Sequence, residues 1–172
     1  SNDPSVPEIL WIGCSEALLL PHQLLNLSRG QILVHRNFGN CAPTHDLNFL
    51  SVLEFALETL NIRHIIVAGH HDCRAVKTVL ADNTTGLLHH WLAPMNEMFV
   101  LRRKEVSAMI RPKDQESFLA TLHTGYQVRN LADNPAVRRY WASGHELGIH
   151  GWVYHDGTDK IYDLGVSLTS PQ

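Results

Sequence analysis

Two short segments bring together residue types that do chemistry. Gly13-Cys14-Ser15-Glu16 places a thiol beside a carboxylate, and Gly69-His70-His71-Asp72-Cys73 places an imidazole three residues before a second thiol. Cys, His and Cys form a soft donor set that suits Zn²⁺, with three protein ligands and a fourth position left for water or substrate. At i and i+3, His70 and Cys73 share one side of a helical first turn, whereas His71 points away from Cys73. His70 is therefore the preferred ligand and His71 the alternative. Each piece also has a bland reading, because a Cys after an apolar run is commonly a small core residue and His-x-x-Cys recurs by chance. Cys41 is read as a small buried residue. Three cysteines are an odd number, too few for a disulfide scaffold, and fit reduced thiols or metal ligands.

The joint reading depends on the elements that carry the two segments. Ile9 to Ile12, Ile32 to Val34 and His64 to Ala68 are short apolar runs that read as buried strands, the first and third ending in Gly13 and Gly69. Between the second and third, Asp46 to Leu60 sets Leu47, Leu50, Leu53, Leu57 and Leu60 at helical spacing. A strand, helix, strand unit predicts an α/β fold, a mostly parallel β-sheet flanked by helices. Ligand crevices in such sheets open at the carboxyl ends of strands, which is where both segments fall. Further on, Leu87 to Ile110 reads as helix through Leu88, Trp91, Met95, Met98 and Leu101 or Arg102, kinked or restarted at Pro94. Asp114 to Leu131 carries a stripe of Phe118, Leu122 and Tyr126, and Asn134-Pro135 opens a short helix that ends at Gly144. Leu147 to Tyr154 and Lys160 to Val166 read as strands joined in a hairpin through Asp156-Gly157.

Composition bounds the rest. The 172 residues fit one domain, 1–172, and 44% hydrophobic with 18% charged residues is a globular balance that excludes disorder, collagen and coiled coil. Fourteen basic against 17 acidic residues give a net charge of -3, without the basic footprint of a nucleic-acid binder. Apolar runs such as Ala17 to Leu20 fall far short of the ~20 residues a membrane span needs. Ser1 to Val6 has no basic-then-apolar leader pattern, so a cytoplasmic location is expected. The 12 histidines are scattered, and their number alone says nothing about a metal.

Leu10-Trp11-Ile12-Gly13-Cys14-Ser15, Val34-His35-Arg36-Asn37, His64 through Cys73, and Gly151-Trp152-Val153-Tyr154 resemble the β-class carbonic anhydrases in order and spacing. The resemblance runs from Glu8 over almost the whole chain. It implies that Cys14, His70 and Cys73 hold one Zn²⁺ per chain and that the sheet is mostly parallel. It also implies a homodimer or larger homo-oligomer that hydrates CO₂ reversibly to bicarbonate. The three-histidine carbonic anhydrases are an unrelated class, and their water acidity does not transfer.

Departures from the family pattern are informative. The family reads Cys-Ser-Asp-Ser-Arg at the first motif, where the Asp accepts a hydrogen bond at the metal's open position and the Arg holds that Asp off the metal. Glu16 and Leu18 stand there. Glu16 is the candidate catalytic residue, one methylene longer and without its clamp. Two thiolates and a neutral imidazole already offset the +2 charge of zinc, so groups behind the ligands matter more than in a three-histidine site. Arg74 replaces the usual Gly after the second cysteine, and it either lines the site, pairs with Glu16 or points to solvent. One subgroup reaches substrate with a glutamine where Ser5 stands. In the other, Trp, Arg and Tyr bind bicarbonate away from the metal; Trp11, Arg36 and Tyr154 occupy those positions, with core packing and a structural ion pair as the plainer reading. The expected function is weak zinc-dependent CO₂ hydration. The rival is a zinc-binding relative with little or no hydratase activity, structural or bicarbonate-sensing, and a third reading turns the site to a linear carbon sulfide.

Overall fold

The computed structural model describes residues 5–158 and 160–170; Ser1–Pro4, most of the segment read for a leader, lie outside them. Strands β1 (Ile9–Cys14), β2 (Ile32–Asn37), β3 (His64–His70), β4 (Gly148–Tyr154) and β5 (Ile161–Asp163) form one sheet in the order β2-β1-β3-β4-β5. The first four run parallel, and β5 returns antiparallel to β4 beyond the Asp156-Gly157 turn. β5 is shorter than the sequence pattern suggests. β1 and β3 are buried on both faces, which is why they read as continuous apolar runs and not as alternating ones.

The helices are α1 (Pro21–Leu24), α2 (Leu47–Glu54), α3 (Arg74–Leu80), α4 (Gly86–Trp91), α5 (Ala93–Leu101), α6 (Arg103–Ala108), α7 (Pro112–Asp133) and α8 (Pro135–Ala142). α2 is capped by the Asp46 side chain, which accepts from the Phe49 N–H at 3.0 Å, and it continues as a π turn over Phe55–Thr59. Asn134 caps α8 on the Ala136 N–H at 2.9 Å, with Pro135 in the first turn as its spacing predicts. Leu87 to Ile110 breaks into three helices, α4 to α6: Pro94 sits in the first turn of α5, and a further break falls at Arg102. Among the described residues no helix is long and apolar enough to cross a membrane.

The sheet separates two cores. Leu10, Ile12, Ile65, Val67 and Ile149 pack under α2 and α8 through Phe49, Leu53, Val137 and Trp141. On the opposite face Trp11, Ile66, Ala68 and Tyr154 pack with Val76, Val79, Leu92, Met95 and Phe99 of α3 to α5. α7 serves both, and this widens its buried arc to Leu119, His123, Thr124, Gln127, Val128 and Leu131. The stripe expected there, Phe118, Leu122 and Tyr126, is only half-buried, because polar residues take part of the packed surface. Leu47 likewise faces solvent at 81% exposure while Phe49 goes in. α7 approaches the sheet closely where side chains are missing: a Cβ on Gly69 would stand 2.6 Å from Thr124 Oγ1, and one on Gly151 would stand 3.1 Å from Val128 Cγ2.

Candidate metal centre

Cys14 ends β1 and His70 ends β3, and these strands are parallel neighbours, so their carboxyl ends deliver both side chains to one edge. Cys73 arrives differently from the helical turn the spacing suggests. Asp72 turns the chain with φ +64°, and Cys73 is extended (φ -61°, ψ 121°) as the N-cap of α3. The result is the same convergence: one donor atom from each of Cys14, Glu16, His70 and Cys73 lies within 4.8 Å of the others, with the two Sγ atoms 3.9 Å apart. His71 turns away, 3.4 Å from Ser117 Oγ and 5.0 Å, ring to ring, from His155. Cys41 is buried 3.5 Å from the Gly39 carbonyl, and burial followed by the Cys14 charge pushes it up to about 12, which leaves an inert thiol.

The charges in the cluster suit a cation. A hydrogen bond from Cys73 pulls Cys14 down to about 4 against the effect of burial, with help from His70 and from the N–H groups of Glu16 and Gly39. The same bond, burial and the Cys14 charge push Cys73 up, although the N–H groups of Val76 and Ala75 at the start of α3 favour its thiolate. One proton is thus shared by two sulfurs that a divalent ion would take as two thiolates. Burial would lower His70, but Cys14, Asp156 and Glu16 outweigh it and raise it. Both His70 ring nitrogens are buried without a hydrogen bond of good geometry, and a cation on Nε2 would satisfy that one. These residues fit a bound zinc.

Glu16 is not loose. Its Oε1 accepts the Arg74 backbone N–H, and its Oε2 lies 3.4 Å from Arg74 Nε, although the guanidinium is 82% exposed. Oε1 is also 3.8 Å from His70 Nε2. Leu18, at the family's arginine position, points to solvent at 84% exposure. The group that contacts the Glu16 carboxylate comes from the other motif, as Arg74.

Arg36 donates to the carbonyls of Cys14 (3.2 Å), Ala17 (2.7 Å) and Leu19 (2.7 Å), which pins the loop after β1. Trp11 and Tyr154 are buried against each other with ring centroids 5.9 Å apart, so the three residues read as an effector set adjoin a packed core. The Trp11 Nε1 donor is buried without a partner. Burial raises the Tyr154 phenol. Sequence reasoning missed Gly39, whose φ of +84° aims its N–H at Cys14 Sγ and its carbonyl at His123 Nε2 (2.6 Å). It also missed Asp156, 3.3 Å from His70 Nδ1. Gly39-Asn40 after a strand was the available signal for the first.

Known proteins place this arrangement. The sequence profile of the carbonic anhydrase family matches residues 9–161. A carbonic anhydrase of Emericella nidulans is 30% identical over 162 residues, covering 94% of this chain and 71% of that protein. One of Candida albicans is also 30% identical over 162 residues, but this chain spans only 57% of it. Among solved structures, a tetrameric β-carbonic anhydrase of Sordaria macrospora superposes with TM-score 0.88 at 31% identity over 96% of this chain and 84% of that one. The Coccomyxa β-carbonic anhydrase, solved with acetazolamide, gives 0.89 at 33% over 96% and 75%. With the profile spanning both motifs and relatives of this identity sharing the whole sheet, the chain belongs to the β-class carbonic anhydrase family.

Proposed function

We propose that the chain hydrates CO₂ reversibly to bicarbonate with one zinc held by Cys14, His70 and Cys73, and that it works as a homodimer or a multiple of one in the cytoplasm. Zinc so bound would supply a Lewis acid and an activated water as nucleophile. The chain's own residues set how well that works. The N–H groups of Glu16 and Gly39 stabilise the Cys14 thiolate, and the first turn of α3 does the same for Cys73. Together the two thiolates offset the ion's charge, so Glu16 becomes the group that orients a donor at the fourth position.

The observation that carries this reading is the hold on Glu16. Arg74 engages both carboxylate oxygens, one through its N–H and one through its guanidinium, which opposes rotation of the carboxylate onto the ion. A second reading is favoured by the position of Glu16 inside the same 4.8 Å cluster as the ligands. As a fourth ligand it would close the site and leave a zinc protein without hydratase activity.

Stopped-flow CO₂ hydration, with metal content determined in parallel, separates the two. The first reading expects zinc-dependent hydration that Glu16→Gln abolishes or cuts strongly. Zinc-loaded but inactive protein, with activity appearing in Glu16→Ala, would establish the second.

A further inference from the structure

The His70 ring presents two edges to two different surroundings. Nε2 faces Glu16 Oε1 at 3.8 Å, and Nδ1 faces Asp156 Oδ2 at 3.3 Å. A neutral imidazole carries one ring proton, and a histidine that binds a cation through Nε2 must keep that proton on Nδ1. A carboxylate on the Nδ1 edge favours this tautomer, fixes the ring plane and makes the other nitrogen a better donor to a metal. Among the described residues, no group makes a hydrogen bond of good geometry to the buried His70 Nδ1, and Asp156 Oδ2 is the carboxylate oxygen that faces it.

Asp156 is itself anchored. Its Oδ1 accepts the Leu19 N–H at 3.2 Å, and the Leu19 carbonyl accepts from Arg36 at 2.7 Å. The turn after β4 is thereby tied to the loop after β1, and His70 at the end of β3 lies between them.

We infer that Asp156 is a positioning residue of the metal centre, holding the His70 proton on Nδ1 so that Nε2 is presented to the cation. The inference rests on the reading of Cys14, His70 and Cys73 as metal ligands. Asp156 touches neither the ion nor the substrate, and it acts only through His70.

The test uses the full chain with Asp156→Ala and with Asp156→Asn, which keeps a side-chain oxygen able to accept from Nδ1–H. Zinc affinity is measured by competition with a chromophoric chelator. Asp156→Ala should weaken zinc by about 10- to 100-fold, the usual effect of removing a group that orients a metal ligand, and Asp156→Asn should fall between it and the unchanged chain. In parallel, ¹⁵N NMR of the reduced, zinc-free protein at a pH where the ring is neutral reports the His70 tautomer. The proton should sit on Nδ1 in the unchanged chain and spread to Nε2 in Asp156→Ala. A merely structural role would lower the melting temperature and leave that spectrum alone, and this overturns the inference, as does unchanged zinc affinity. If Asp156→Ala does not fold, the near-isosteric Asp156→Asn decides through its zinc affinity. If the unchanged chain takes up no zinc, the metal reading fails and the inference falls with it, whereas zinc uptake with an unchanged affinity and tautomer in Asp156→Ala overturns the inference alone.

Discussion

At the scale of single residues, the Glu16 clamp yields the sharpest prediction, because two parts of Arg74 hold it and mutation can part them. Arg74→Ala removes an exposed guanidinium and keeps the N–H; its effect on hydration should be small, as for most exposed ion pairs. Arg74→Pro removes the N–H as well. The site tolerates proline, since residue 74 opens α3 and Cys73 before it is already extended at ψ 121°, the conformation a following proline requires. Losing a hydrogen bond to a charged group costs about 1.5–3 kcal/mol, so kcat/KM should fall about 10- to 150-fold with the helix content unchanged by circular dichroism. Equal losses in the two variants would mean that the guanidinium does the holding. Cys73→Ala should lose stoichiometric zinc by elemental analysis, because of the three proposed ligands only Cys14 and His70 would remain and half of a tetrahedral site would be open. Cys14, His70 and Cys73 were legible in the sequence because strand ends announce themselves by apolar runs that stop at glycine. The Arg74 N–H was not, since a backbone donor carries no residue signature, and neither was Asp156, whose place depends on the path of a turn.

At the scale of elements, α7 makes the stability of the fold depend on pH. His123 is fully buried on it, with Nε2 bonded to the Gly39 carbonyl 2.6 Å away, and burial holds it down to about 4 against 6.5 in an ordinary setting. The folded chain therefore keeps this ring neutral while the unfolded chain takes up a proton below about 6.5. Stability should fall as pH drops through that window, by about 3 kcal/mol once pH 4 is reached. His123→Gln, which retains a donor for Gly39, should show a flatter dependence than the unchanged chain in urea melts at pH 7 and about pH 5. Equal slopes would place the acid sensitivity elsewhere. The same helix explains why the sequence misplaced part of the core. Its buried arc includes His123, Thr124 and Gln127, so a stripe drawn through apolar residues alone falls out of phase. The strands and the Asn134-Pro135 helix start were legible because each is marked by local chemistry, a doubly buried run or a cap. The close approach of α7 to β4 also predicts that Gly151→Ala destabilises by about 1–3 kcal/mol, since the new methyl would meet Val166, Val128 and Thr124 at once.

At the scale of the whole molecule, the proposed assembly can be tested on the apolar surface that α4 to α6 and the residues after them leave bare. Leu87, Val100, Leu101 and Ile110 are 87%, 59%, 81% and 96% exposed, while Met95 and Phe99 of the same segment turn inward. Trp91, at the end of α4, donates its Nε1–H to the Phe38 carbonyl at 2.7 Å and braces the loop that carries Gly39. The apolar surface that remains outside is thus separate from the packing that holds the metal centre, and the two can be tested apart. A two-fold interface uses each residue twice, so replacing one buried leucine by a charged residue should cost at least twice its burial energy, about 3–6 kcal/mol over both copies. That is a loss of about two to four orders of magnitude in the association constant. Light scattering should give the mass of a dimer or a multiple of it for the unchanged chain at micromolar concentration. Leu101→Asp should shift the mass toward the monomer while zinc content stays at one per chain. A monomer mass for the unchanged chain would show that this surface meets no copy of itself. Loss of zinc along with the assembly would show that the interface supports the site and that Trp91 and Phe38 are not sufficient to hold the Gly39 loop in place.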